Sequence, residues 1–129
     1  MTKPQVAVIG TGGTIASQGL NPLDVADYAS SGRPILDAAE LVAGVPALAE
    51  VADVVRVPFA NIPSTAIGWA EWRALLATIA EVKAAHPALA GIVVTHGTAT
   101  LEETAYFLSL TLPDDGMPVV VTGAQRPFT

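Results

Sequence analysis

Four short apolar runs, at residues 6–9, 51–57, 91–95 and 118–122, each empty into a loop of small residues bearing hydroxyl or amide groups. Runs of this length, rich in valine and without regular polar alternation, suit strands buried on both faces. Helical patterns lie between them. Strand, polar loop and helix in repeated order predict an α/β fold: one domain over residues 1–129, an open parallel sheet with helices on both faces, three layers of the flavodoxin-like or Rossmann-like kind. In such sheets ligands bind beyond the carboxyl ends of the strands, where the strand order reverses. The polar loops fall at those ends, so Thr14, Ser64, Thr95, Thr98 and Thr122 are expected on one rim.

The first loop follows Val6-Ala7-Val8-Ile9 and reads Gly10-Thr11-Gly12-Gly13-Thr14-Ile15-Ala16. Its glycines permit backbone angles closed to other residues and let a ligand approach the main chain. Thr11 and Thr14 carry its only polar side chains, and either suits binding or attack. The dinucleotide fingerprint fits poorly, because Ile15 stands where a small third residue is needed, and the Gly-Lys-Ser/Thr ending of a phosphate loop is absent. A tight strand-to-helix turn whose threonines satisfy local backbone groups is the plain alternative.

Composition narrows the function classes. Apolar residues make up 51% of the chain, enough for a core. A net charge of −6 with six basic residues lacks the basic stripe of a nucleic-acid partner. The absence of cysteine removes disulfide and thiolate chemistry, and two separated histidines do not make a metal site. The apolar stretch before Gly10 is too short for a signal-peptide core or a membrane span, so a cytoplasmic location is expected.

Residues 18–34 show no sustained period and read as a long mobile connection of the kind that forms lids. Tyr28 within it is either delivered to a site or packs the loop down. Asp37 and Glu40 have capping-box spacing, and Gly44 and Pro46 end the short helix they start. A longer amphipathic helix spans 69–85, with Trp69, Trp72, Leu75, Leu76, Ile79 and Val82 on its apolar face; the tryptophans read as core, with a partner-binding role as the alternative. Thr100 and Glu103 repeat the capping-box pattern before a helix that buries Ala105, Leu108 and Leu112. Glu102 and Glu103 then favour the positive end of that helix rather than catalysis.

A rim of threonines needs activation, because a hydroxyl is a weak nucleophile without a base or proton relay. His96 follows the third strand, where a local hydrogen-bonding role competes with that of a base. Tyr28, with its loop closed over Thr14, is positioned to relay the hydroxyl proton. Loop N–H groups near Gly12, Gly97 or Thr98 suit an oxyanion.

With these residues in view, the chain resembles the amino-terminal domain of the bacterial-type L-asparaginase and glutaminase family. Thr11-Gly12-Gly13-Thr14-Ile15-Ala16 is similar to the first family signature, and Val94-Thr95-His96-Gly97-Thr98-Ala99-Thr100-Leu101-Glu102-Glu103-Thr104-Ala105-Tyr106-Phe107 to the second. Val121-Thr122-Gly123-Ala124-Gln125-Arg126-Pro127 supports both. The resemblance implies an amidohydrolase that releases ammonia from a side-chain amide through an acyl-enzyme. Thr14 is then the nucleophile, Tyr28 its partner, and Thr98 the second essential threonine. Ser64 holds the substrate carboxylate, with Thr65, Gly97 and Ala99 beside it. A small amino-acid amide is the implied partner, in a homo-oligomer of two or four full-length chains, with no cofactor, metal, nucleic acid or membrane.

Departures from the family pattern sharpen this. The second signature usually reads Thr-Asp, but Thr98-Ala99 stands here, and alanine accepts no hydrogen bond from a substrate ammonium. Thr65-Ala66 follows Ser64 where a glutamine is common. Family chains are more than twice as long. The lysine that partners the second threonine falls beyond residue 129, as does a carboxy-terminal domain that a neighbouring subunit contributes to each site with a glutamate. The expectation is an active amidohydrolase in a longer chain, and folding with little or no activity in 129 residues alone. The competing readings are a catalytically incomplete binding or assembly module and, more distantly, a phosphate-binding flavodoxin-like domain.

Overall fold

The computed structural model describes residues 2–129. In chain order its elements are β1 (Gln5–Gly10), α1 (Ala38–Ala43), α2 (Leu48–Val51), β2 (Asp53–Val57), α3 (Trp69–Ala85), β3 (Leu89–Thr95), α4 (Leu101–Thr111) and β4 (Val119–Thr122), with short 3-10 turns at Thr14–Ala16, Tyr28–Ser30 and Ser64–Ala66. The four strands are all parallel, in the order β2-β1-β3-β4. The chain leaves β1 to one side for β2 and then crosses to the other side for β3. The order therefore reverses between β1 and β3, and the loops leaving those two strands flank the crevice there.

Successive side chains of a strand point to opposite faces, so each strand feeds two cores. Ala7, Ile9, Val57, Ile92 and Val94 pack with Leu75, Ile79 and Val82 of α3 and Leu108 of α4. Val8, Val54 and Val93 face the other way, onto Ala38 and Val42 of α1 and Leu48 of α2. This is the expected sheet with helices on both faces. The second face is the less covered one: Val120, level with Val93 in register, is 52% exposed.

Local chemistry sets most helix ends. Asp37 Oδ1 accepts from the Glu40 N–H at 2.8 Å and Glu40 Oε2 accepts from the Asp37 N–H at 2.9 Å, the complete capping box expected for α1. α3 has the expected bounds. Glu71 Oε2 accepts from the Gly68 N–H at 2.9 Å at its start, and this bond holds the Glu71 carboxyl below its ordinary value. Leu75, Ile79 and Val82 form its buried stripe.

Several sequence expectations are corrected. Strand β2 begins at Asp53, because 48–51 complete a single helical turn that leaves Val51 exposed. β3 begins two residues early, at Leu89. Trp69 lies outside the core, 64% exposed: it opens α3 and rests only edge-on against Phe107, at 5.8 Å between ring centroids. Trp72 is half-buried and stacks on the same ring. The Thr100 side chain does not cap α4; its hydroxyl donates instead to the Ser64 carbonyl at 2.7 Å. Thr104 and Leu108 are the buried residues of α4, with Ala105 and Leu112 half-buried. Among the described residues no helix is long and apolar enough to cross a membrane.

Candidate active site

The β1 loop is shaped by two glycines with positive φ, Gly12 at 97° and Gly13 at 83°. A side chain is excluded at both on a second ground. A Cβ on Gly12 would lie 2.7 Å from the Ile62 carbonyl oxygen, and one on Gly13 would lie 2.2 Å from the Gly97 Cα. The main chains of the first and third loops thus touch, and only glycine allows it. On the far side, a Cβ on Gly97 would meet Ser64 Oγ at 2.7 Å. Three loops from three strands converge within a few ångströms.

Hydrogen bonds fix the arrangement. Thr11 is buried, its N–H and its hydroxyl both donating to the Thr95 carbonyl, at 3.0 and 2.9 Å. The Ile62 N–H donates to the Thr11 carbonyl at 3.2 Å. Of the two loop threonines, Thr11 is thus a tie between strands, while Thr14 faces open space.

That space is a cavity of about 510 Å³ at the β1–β3 crevice. All seven site residues expected from the sequence, Thr14, Tyr28, Ser64, Thr65, Gly97, Thr98 and Ala99, line it. Thr14 Oγ1 and Tyr28 Oη share a hydrogen bond of 2.9 Å. Thr95 and Thr122, expected on the rim, are not part of the lining. Thr95 is buried, its hydroxyl directed at the Ile9 carbonyl at 3.5 Å, and Thr122 pairs with it in the sheet register.

Tyr28 reaches Thr14 because residues 18–34 fold back as a strap. The Ser31 hydroxyl donates to the Gln18 carbonyl at 2.6 Å, and Gln18 Nε2 donates to the Pro34 carbonyl at 2.9 Å. The Leu36 N–H donates to the Ala16 carbonyl at 2.8 Å. The strap also brings Arg33 to the cavity wall, beside Ser17, Gln18 and Ala29. Sequence reasoning missed Arg33. Its one signal was membership of the segment read as a lid.

His96 is fully buried and does not line the cavity. Its Nδ1 lies 2.7 Å from the Gly97 carbonyl, which only accepts, so Nδ1 carries a proton. Nε2 lies 2.8 Å from Thr104 Oγ1, which itself accepts from the Trp72 indole N–H at 2.9 Å. In the neutral imidazole the chain of donors runs in one direction: Trp72 to Thr104, Thr104 to His96, His96 to the Gly97 carbonyl. Every polar atom in it is satisfied. His96 therefore holds the Gly97 loop in place, the local role that competed with the catalytic one.

A cavity walled by hydroxyls, a phenol, an amide and one guanidinium suits a small polar compound. The comparisons with known proteins agree with the fold. Residues 5–129 match the family model described as Asparaginase, N-terminal. The chain is 41% identical over 126 residues to L-asparaginase 2-3 of Saccharomyces cerevisiae, covering 98% of this chain and 33% of that protein. It is 40% identical over 124 residues to a glutaminase-asparaginase of Pseudomonas fluorescens biotype A, covering 96% and 33%. The crystal structure of a probable cytoplasmic L-asparaginase from Campylobacter jejuni superposes with a TM-score of 0.78 at 39% identity, covering 98% of this chain and 34% of that one. The chain thus spans about a third of the length of these relatives. By its family match, its relatives and its fold, this chain belongs to the asparaginase family and corresponds to that family's amino-terminal domain.

Proposed function

We infer that this domain carries the nucleophile of an asparaginase-type amidohydrolase. The observation that carries the reading is the 2.9 Å hydrogen bond between Thr14 and Tyr28 on the wall of the cavity that Gly97 and Thr98 also line. Thr14 Oγ attacks the carbonyl carbon of a side-chain amide while its proton passes through Tyr28 toward the departing nitrogen. Main-chain N–H groups of the glycine-bearing loops stabilise the oxyanion. The C–N bond breaks, ammonia leaves, and an ester to Thr14 remains. Water adds to that ester and releases the acid, returning the proton to Thr14. Ser64 and Thr65 hold the substrate's free carboxylate, and Thr98 orients the water or the oxyanion. The substrate is a small carboxamide, and the working unit is a homo-oligomer of the longer chain.

The test is ammonia release by the full-length protein that carries these residues. Thr14→Ala abolishes release while the far-UV circular dichroism and melting temperature are retained; a Thr14→Ala protein that still releases ammonia contradicts the assignment. A second reading, a domain that binds the same compound without turning it over, is favoured by one observation: the cavity lining contains no histidine, lysine, aspartate or glutamate to act as a base beside Tyr28. Calorimetry that gives saturable binding without ammonia release selects it.

A further inference from the structure

The loop that carries Thr98 is gripped from behind. Position 97 has to be glycine, since a Cβ there would lie 2.7 Å from Ser64 Oγ and 3.1 Å from the Gly13 Cα. The consequence is a backbone with few steric limits on rotation of the peptide between Gly97 and Thr98. His96 removes that freedom, because its Nδ1–H donates to the Gly97 carbonyl at 2.7 Å. The peptide is trans and planar, so its C=O and N–H point in opposite directions. His96 is fully buried and lies outside the cavity lining, whereas Gly97, Thr98 and Ala99 are part of it. With the carbonyl drawn inward to the imidazole, the Thr98 N–H is turned toward the cavity.

The direction of this grip is set on two other elements. A neutral imidazole carries its proton on Nδ1 only when Nε2 accepts, and Nε2 lies 2.8 Å from Thr104 Oγ1. The Trp72 indole N–H, which can only donate, already gives its proton to that oxygen at 2.9 Å, which leaves the Thr104 proton for His96. In the other tautomer an Nδ1 lone pair would face the Gly97 carbonyl oxygen. The easiest relief is rotation of the glycine peptide, which carries the Thr98 N–H out of the cavity. We propose that Thr104, backed by Trp72, is a positioning residue for the reaction: through His96 it keeps the Thr98 N–H aimed at the oxyanion. The proposal rests on the amide-hydrolysis reading above and adds to it two residues that lie outside the cavity lining.

The test is steady-state ammonia release by the full-length protein from asparagine and glutamine, read beside the ¹⁵N shifts of the His96 ring. Thr104→Val keeps the side chain's shape and removes the hydroxyl. It lowers kcat roughly tenfold and leaves KM within about twofold, a smaller loss than the ~10²-fold or more of deleting an oxyanion donor outright. Its His96 ring shifts report a mixture of tautomers. Thr104→Ser restores both kcat and the ring shifts, and Trp72→Phe, which keeps an aromatic ring against Phe107 but loses the donor, falls between. Leu108→Ala, buried one turn further along α4 and outside this chain of donors, lowers the melting temperature yet keeps kcat, which separates aim from stability. A folded Thr104→Val protein with unchanged kcat, or a Thr104→Ser protein without rescue, overturns the proposal. So does a Leu108→Ala protein that loses kcat to the same extent. Should Thr104→Val fail to fold, Trp72→Phe with unchanged kcat and ring shifts overturns it instead. If the unsubstituted protein releases no ammonia from either amide, the amide-hydrolysis reading falls and the proposal with it.

Discussion

The wall of the cavity made by strand ends and the wall made by residues 18–34 meet at Thr14, yet they are held very differently. On the first, Thr11, Ser64, His96 and Gly97 are buried, and the Gly13 and Gly97 main chains are in contact. Each loop there is tied to another strand or helix. On the second, most of residues 20–34 are exposed, Leu23 by 83%, and the strap is held by a handful of hydrogen bonds largely between its own ends. The first wall fixes where Thr14 stands. The second brings Tyr28 and Arg33 to the cavity on a segment that opens at low cost. Because Tyr28 stands on the weaker wall, its hydrogen bond with Thr14 depends on strap closure.

Substitutions separate the two walls by size of effect. Gly13→Ala is the most damaging, because it combines positive φ with a methyl group driven into Gly97; the loss is about 3 kcal/mol or more, read as a lower urea midpoint at unchanged slope. Thr104→Val breaks the buried donor chain and leaves the Trp72 N–H and His96 Nε2 without partners. It costs roughly 2–3 kcal/mol. Thr104→Ser restores the polar part of that loss, and the His96 ring-nitrogen shifts report whether the tautomer returns. On the strap, Tyr28→Phe changes stability by less than about 0.5 kcal/mol but lowers kcat by on the order of 10²-fold, as expected for losing a proton relay. A Tyr28→Phe protein as destabilised as Thr104→Val would erase the contrast between the walls.

The smallest effect is a pH dependence far from the cavity. The Gly68 N–H lowers the pKa of Glu71, so this cap is fully present above the ordinary value of 4.5 and is lost as pH falls through the lower folded value. The Gly68 amide shift follows that titration, and Glu71→Gln removes it. Asp115 is lowered in the same sense, first by the hydrogen bond from Lys83 and then by the Met117 N–H. Its contribution also disappears only on the acid side.

What could be read from the sequence follows from how local each feature is. The Asp37 and Glu40 box and the bounds of α3 depend on residues three or four apart, and pattern alone located them. Thr100 has the same local pattern as Asp37, but a tertiary partner, the Ser64 carbonyl, claims its hydroxyl. Periodicity put Trp69 on the apolar side of α3; it carried no information that nothing but the edge of Phe107 meets the ring at the helix start, which leaves it 64% exposed. The cavity lining was readable because the strand-end rule gathers loops that are distant in sequence. Within that set Thr95 and Thr122 failed, since they are still strand residues paired in the sheet. Arg33 and the Trp72–Thr104–His96 chain were hidden for opposite reasons. The strap has no period to read, and a threonine in a buried helix row looks like a break in the pattern until its partners on two other elements are seen.

The measurement that tests the central assignment most directly is the site of acylation. The protein is incubated with an activated monoester of a small dicarboxylic acid, which delivers the acyl group that amide attack leaves on the hydroxyl, then quenched in acid, digested and mapped by mass spectrometry. The account predicts one acyl group, on the Thr14 hydroxyl, absent from Thr14→Ala and reduced in Tyr28→Phe. Acylation at Thr98, Ser64 or another residue in its place, with Thr14 unmodified, would contradict it.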